Sequence, residues 1–323
     1  MDRGPPPNPC SRTEKGTIRL RTSVVALTAL TAAAMVLGAC GTSSDSGDQP
    51  ARVLKISSIP DQDPDLLAER DRAMANYLHR VLGVDVTYVP VTDYAASVNL
   101  FRAGDLDAVF YGGLTGVQAT AQVPDARYLA QRDVDATFRS VFIANANSGI
   151  QPINSVDELT VLKGKRFTYG SQTSTSGRLM PEYFLNQAGL DDDTDFNGAP
   201  GFSGSHDKTI DLVESGTFEA GALNVQVWNS RLEADDVDLN KVKQIFITPE
   251  YHDYHWLGRP NLDGKFGPGF TQRLIDAFLA LSSDDPEDAT LLKLYGADSF
   301  IATDSESYDQ IRAIGTKLGL VTQ

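Results

Sequence analysis

Apolar and polar positions along this chain follow two rhythms that replace one another from segment to segment. Residues 53–59 form a short apolar run that ends at Pro60-Asp61-Gln62-Asp63-Pro64, the pattern of a buried strand leading into a turn. Asp63 is placed to cap the next helix, with Pro64 at its first position. Leu67, Met74, Tyr77, Leu78, Val81 and Leu82 then recur at helical spacing up to Gly83. Residues 84–89 predict a second strand, and Asp93 caps a short helix carrying Tyr94, Val98 and Phe101 to Gly104. Residues 107–111 predict a third strand, ending in Gly112-Gly113-Leu114-Thr115. This alternation predicts a parallel sheet covered on both faces.

The pattern then restarts. Residues 139–145 predict a strand, 156–162 a short helix and 165–169 a strand. A hydroxyl-rich loop, 171–176, opens a helix carrying Leu179, Tyr183, Phe184 and Ala188. An acidic loop at 191–200 precedes a helix at 208–214 and strands at 220–225 and 242–247. The tail is helical over 269–281, 286–294 and 308–318. Two α/β units predict a two-lobed fold, each lobe a mixed, mostly parallel sheet flanked by helices. Residues 139–145 and 243–248 are the expected crossing strands. One lobe comprises 52–140 plus about 249–323, and the other about 141–248.

The start of the chain changes the picture from fold to address. Lys15, Arg19 and Arg21 precede an uncharged run, 24–37, which ends in Leu37-Gly38-Ala39-Cys40. The run is shorter than the ~20 residues a membrane-spanning helix needs and has the layout of an export signal. The cysteine after Leu-Gly-Ala resembles the bacterial lipoprotein signal, which implies removal of 1–39, lipidation of Cys40 and a polar tether over 40–51. The remaining chain would then hang from the outer face of the cell membrane by its acyl anchor. It carries 23 Lys and Arg against 41 Asp and Glu, a net charge of −18. Such a chain has no electrostatic footprint for nucleic acid. With Cys10 in the removed segment, no disulfide or thiol ligand set remains.

Candidate chemistry gathers at three strand-to-helix junctions. Gly170-Ser171-Gln172-Thr173-Ser174-Thr175-Ser176-Gly177 supplies hydroxyls at a helix start, where unpaired N–H groups attract anions. The same composition also suits a solvated loop that only caps its helix. Gly201-Phe202-Ser203-Gly204-Ser205-His206 places His206 on a first helical turn. Tyr111-Gly112-Gly113-Leu114-Thr115 lets a ligand approach bare backbone. All three stand at the carboxyl ends of strands, where open α/β sheets place ligands. Phosphate-loop, zinc-protease and serine-hydrolase motifs are absent from the sequence. His252 and His255, beside Asp253, lack further metal ligands, so no metal or cofactor is expected.

At these residues the chain resembles the solute-binding proteins of phosphate/phosphite/phosphonate ABC transporters, from about Val53 to its end. The likeness rests on Asp93-Tyr94-Ala95, Phe110-Tyr111-Gly112-Gly113-Leu114-Thr115, Ser140-Val141-Phe142-Ile143-Ala144, Ser174-Thr175-Ser176-Gly177, Gly204-Ser205-His206 and Thr248-Pro249. Gly112-Gly113-Leu114-Thr115-Gly116-Val117-Gln118 and Gln131-Arg132-Asp133 are also similar to a subgroup designated selenate-binding. The resemblance implies two lobes closing on an oxyanion held by Ser174, Thr175, Ser176 and His206. Tyr94 and Tyr111 would form part of the opposing wall, with Thr115 beside them, and the loop of His252 to Tyr254, with Asp253, would line the far side. Asn224 and Gln226 stand where relatives carry acids, which favours a proton-free oxyanion such as selenate, although Asp253 is retained. The implied role is a monomeric, non-enzymatic importer component working with a permease and an ATPase. An exported enzyme using His206 or the His252/His255 pair, or an oxyanion sensor, is the alternative.

Overall fold

The computed structural model describes residues 52–321, so the expected signal, Cys40 and the whole tether lie outside the described residues. β1 (Val53–Ser58) runs into α1 (Pro64–Leu82), where Asp63 accepts from the Asp65 and Leu66 N–H groups as its pattern predicts. β2 (Asp85–Tyr88), α2 (Tyr94–Ala103) and β3 (Ala108–Tyr111) complete the first rhythm. α3 (Gly113–Gln122) and β4 (Arg127–Arg132) follow.

The second unit holds β5 (Ser140–Asn145), a short 3₁₀ helix (Val156–Leu162) and β6 (Phe167–Tyr169). A turn of π-helix (Thr175–Leu179) then tightens into α4 (Met180–Gln187). β7 (Gly201–Phe202), α5 (His206–Glu214), β8 (Ala220–Asn224), α6 (Val225–Glu233) and β9 (Val242–Ile247) complete it. The chain returns through β10 (His255–Gly258), α7 (Leu262–Phe266), α8 (Phe270–Leu279), α9 (Pro286–Tyr295), β11 (Phe300–Ile301) and α10 (Asp309–Lys317).

Two sheets result, ordered β11-β4-β10-β3-β1-β2 and β7-β6-β8-β5-β9. Both are mixed, but parallel pairings do not dominate: four of the nine are parallel. β10 and β5 each enter their sheet straight from the other lobe. Without a crossover helix between neighbours, they pair antiparallel. The links themselves are 133–139 and 248–254, joined where Phe138 and Tyr251 exchange backbone hydrogen bonds of 2.8 and 2.9 Å. The segments expected as crossings lie mainly inside the second sheet, as β5 and β9.

Alternation along β5 shows how the second sheet is buried on both faces. Phe142 and Ala144 join the main core, while Val141 and Ile143 pack with Ile210, Val213, Leu223 and Trp228. Among the described residues no helix is long and apolar enough to cross a membrane.

Candidate functional site: a cleft between the lobes

Loops at strand ends meet where the lobes face each other. The Ser174–Ser176 turn follows β6, and Ser174 caps it by accepting the Gly177 N–H at 3.0 Å. Opposite stands the start of α3, which has no side-chain cap of its own. Its N–H groups reach across the structure instead: Gly113 N–H donates to Asp253 Oδ1 at 3.0 Å and Leu114 N–H to Thr175 Oγ1 at 2.9 Å. Two helix starts, each with partial positive charge, therefore border one space. Bare backbone makes this approach possible. A Cβ on Gly177 would come within 3.0 Å of Ser174 Oγ and 3.1 Å of His206 Cε1. One on Gly112 would press on Asp253 and Thr175 at 3.1 Å.

His206, on the first turn of α5, is fully buried. Its Nδ1 accepts the Asn224 N–H at 3.3 Å, which leaves the proton on Nε2. Nε2 lies 3.4 Å from Tyr254 Oη. Burial pushes the imidazole down to about 4, against the opposing pull of Asp207, so it is neutral at physiological pH. Tyr254 donates to Asp61 Oδ2 at 2.7 Å and accepts from Asn224 Nδ2 at 3.2 Å. One tyrosine thus links the β1–α1 loop to two strand-to-helix junctions of the other lobe.

Four buried polar atoms around this space have no hydrogen-bond partner: Asp61 Oδ1, Tyr94 Oη, Ser176 Oγ and Asp253 Oδ2. They share surroundings. Tyr94 and Tyr254 both sense Asp61 and Asp253, and Tyr251 lies toward Asp253 and Ser176. An unpaired buried polar group costs about 1–3 kcal/mol. Four of them converging mark a place shaped for a polar guest. Burial raises Asp253 to about 7, with Asp135 adding to the rise and Gly113, Thr175 and Arg132 opposing it. Asp61 is raised by burial too, against Arg70, Tyr254 and Arg132. A groove of about 570 Å³ leads outward between Pro60, Gln62, Asp93 and Tyr94 of one lobe and Ser171 and Ser205 of the other.

Comparison with known proteins gives the chain its family. Residues 56–308 match the family described as the periplasmic phosphonate substrate-binding protein of ABC transporters. The chain belongs to that family. It is 46% identical over 270 residues to the probable ABC transporter phosphite binding protein PhnD1 of Prochlorococcus marinus, covering 84% of this chain and 91% of that one. The solved structure of PhnD1 in complex with methylphosphonate superposes with a TM-score of 0.82, covering 84% of this chain and 99% of that chain. The Phosphate-import protein PhnD of Mycolicibacterium smegmatis is 24% identical over 234 residues, covering 68% and 71% of the two chains. A binding protein of a phosphonate transporter from Pseudomonas aeruginosa, at 20% identity and a TM-score of 0.71 over 82% of this chain and 85% of that one, shares the fold.

Within this family frame, the cleft brings together Tyr94, Ser174, Thr175, Ser176, His206 and Asp253. Asn224 stands at its edge: Oδ1 caps α6 by accepting Gln226 N–H and Val227 N–H, and the amide nitrogen donates to Tyr254. Tyr111 turns the other way. Its hydroxyl donates to the Ser97 carbonyl at 3.0 Å and its ring packs edge-on against Phe101, inside its own lobe. Thr115 donates to the Thr173 carbonyl, and Gln226 donates to the Gly296 carbonyl at the surface. His252 and His255 are not joined as a ligand pair: the His255 ring packs on Tyr308 and Tyr128. Among the described residues, no three His, Cys, Asp or Glu side chains gather as a metal set. Asp61 and Tyr251 were not anticipated from the sequence, whereas Tyr254 belongs to the loop expected to line the far side. The one available signal was the crowding of Asp61 and Asp63 between two prolines at a strand end.

Proposed function

We propose that this chain is the ligand-capturing component of an ABC importer for a tetrahedral phosphorus oxyanion that still carries a proton, of the phosphite and methylphosphonate class. The observation that carries this reading is Asp253. Its Oδ2 is buried and unpartnered beside the Ser-Thr-Ser turn, and its ionisation is pushed up to about 7. Such a carboxyl can accept a proton from a hydrogen-bearing anion while Ser174, Ser176, Tyr94 and neutral His206 donate to its other oxygens and Thr175 holds Asp253 in place. Asp61 adds a second buried carboxyl oxygen. A selenate or sulfate dianion brings no proton to share with either, so it ranks below phosphite and methylphosphonate. The amide of Asn224 does not alter that ranking, because Tyr254 and the start of α6 engage it. The name of PhnD1 and its complex with methylphosphonate support the same class.

Lobe closure over the anion would present the loaded form to a permease driven by an ATPase. Cys40 and its tether would hold the monomeric protein at the outer membrane face, with capture and release rather than turnover as its work. Thermal-shift and calorimetric titration with methylphosphonate, phosphite, phosphate, sulfate and selenate tests the reading. We expect stabilisation by methylphosphonate and phosphite above sulfate and selenate. Equal or stronger stabilisation by selenate would overturn it.

A further inference from the structure

Two residues expected to touch ligand are instead engaged between the lobes. Thr115 is fully buried at the start of α3, and its hydroxyl donates to the Thr173 carbonyl of the other lobe at 2.9 Å. A hydroxyl has one proton, so Thr115 has none left for an anion. Gln226, on α6, donates its amide to the Gly296 carbonyl that ends α9 in the other lobe, at 3.2 Å. Neither side chain holds an unpartnered buried atom, in contrast to Tyr94, Ser176 and Asp253. A third cross-lobe bond, His206 N–H to the Asp61 carbonyl at 2.9 Å, shows that such direct contacts are not confined to these two.

We propose that Thr115 and Gln226 are positioning residues of lobe closure, latches that hold the lobes together without contacting the ligand. Binding requires the closed arrangement, so affinity is scaled by the fraction of molecules that can close. A latch adds to that fraction for every ligand alike. Removing one therefore weakens all ligands by the same factor and acts on release. A lost ligand contact would instead change the ranking among ligands. One neutral hydrogen bond makes this factor about 2- to 10-fold per latch.

The test uses Thr115→Val, Thr115→Ser and Gln226→Ala in the full chain. Small-angle scattering of the free protein reports lobe opening without any ligand. Calorimetry and stopped-flow release with methylphosphonate and phosphite report affinity. We expect T115V and Q226A to raise the radius of gyration of the free protein. Both ligands should weaken by one common factor through faster release, and T115S should restore the parent behaviour. An unchanged radius, or a loss confined to one ligand, overturns the latch. The ligand class rests on the proposed function, but the scattering does not. If neither anion binds the parent chain, that function fails while the scattering still decides the latch.

Discussion

Two sets of buried acids behave in opposite ways. Asp71 lies against Arg70 at 2.9 Å, and Asp135 takes two bonds from Arg132, at 2.6 and 2.8 Å. Arg132 also donates to the Tyr295 carbonyl and lies over the ring of Tyr254, 4.9 Å from its centroid. Every oxygen of these two acids has a partner. Asp61 and Asp253, facing the other lobe, each keep one oxygen unpartnered. Folding tolerates a buried charge when it is paired, and an unpaired buried oxygen lowers stability. Under the proposed function, the contrast separates groups that hold the fold together from groups that await a ligand. Clustering matters as much as the missing partner: Trp228 Nε1 and Trp256 Nε1 are also unpartnered, but they sit in the apolar core and not at the cleft.

The largest expected effect breaks the paired side. Arg132→Met leaves Asp135 buried without its cation, a loss of about 3–5 kcal/mol. For a chain of this size that lowers the melting temperature by roughly 10 °C. Thermal denaturation followed by circular dichroism checks this, and a fall of one or two degrees would mean that the pair is structurally idle. On the cleft side, Ser176→Ala removes an unpartnered hydroxyl and should leave the melting temperature almost unchanged. It should weaken methylphosphonate by about 10- to 100-fold, the size of one hydrogen bond to a charged group. Calorimetric affinities and melting curves of the same preparation separate the two effects.

Asp253→Asn sharpens the comparison with a smaller, pH-dependent effect. The carboxyl titrates near 7 in the folded chain against 3.8 unperturbed, so its contribution to stability is complete in acid and is lost as pH rises through 7. The variant should therefore match the parent near pH ~4 and melt several degrees higher above pH ~8, where the parent buries a charge. Its amide should also accept selenate better and methylphosphonate worse. Melting curves across that range, with both anions, would show whether the carboxyl carries the discrimination.

Much of this was legible in the chain because the signals were local. Asp63 with Pro64, Asp93 and the left-handed Gly83 cap their helices as the sequence indicates. Ser174, Thr175, Ser176 and His206 lie at strand ends, where an α/β sheet places them. α3 was not read, since it starts at two glycines without a capping side chain and continues in small residues. Tyr111 was assigned to the wrong surroundings because all four residues of β3 are buried, and period-two alternation then cannot tell the cleft from the core. Asp61 and Tyr254 act on each other from positions far apart in sequence, which no local pattern encodes. Thr115 and Gln226 gave the right neighbourhood, but only the meeting of the lobes shows what their protons are bonded to.

The central claim is that Asp253 and the anion share one proton in the complex. Isothermal titration of methylphosphonate at about pH 8.5, repeated in buffers of different ionisation enthalpy, counts the protons taken up. Ligand and Asp253 are then both largely deprotonated, so the account predicts an uptake approaching one proton in the parent chain and close to none in Asp253→Asn. Tight binding to the parent chain without proton uptake would contradict it.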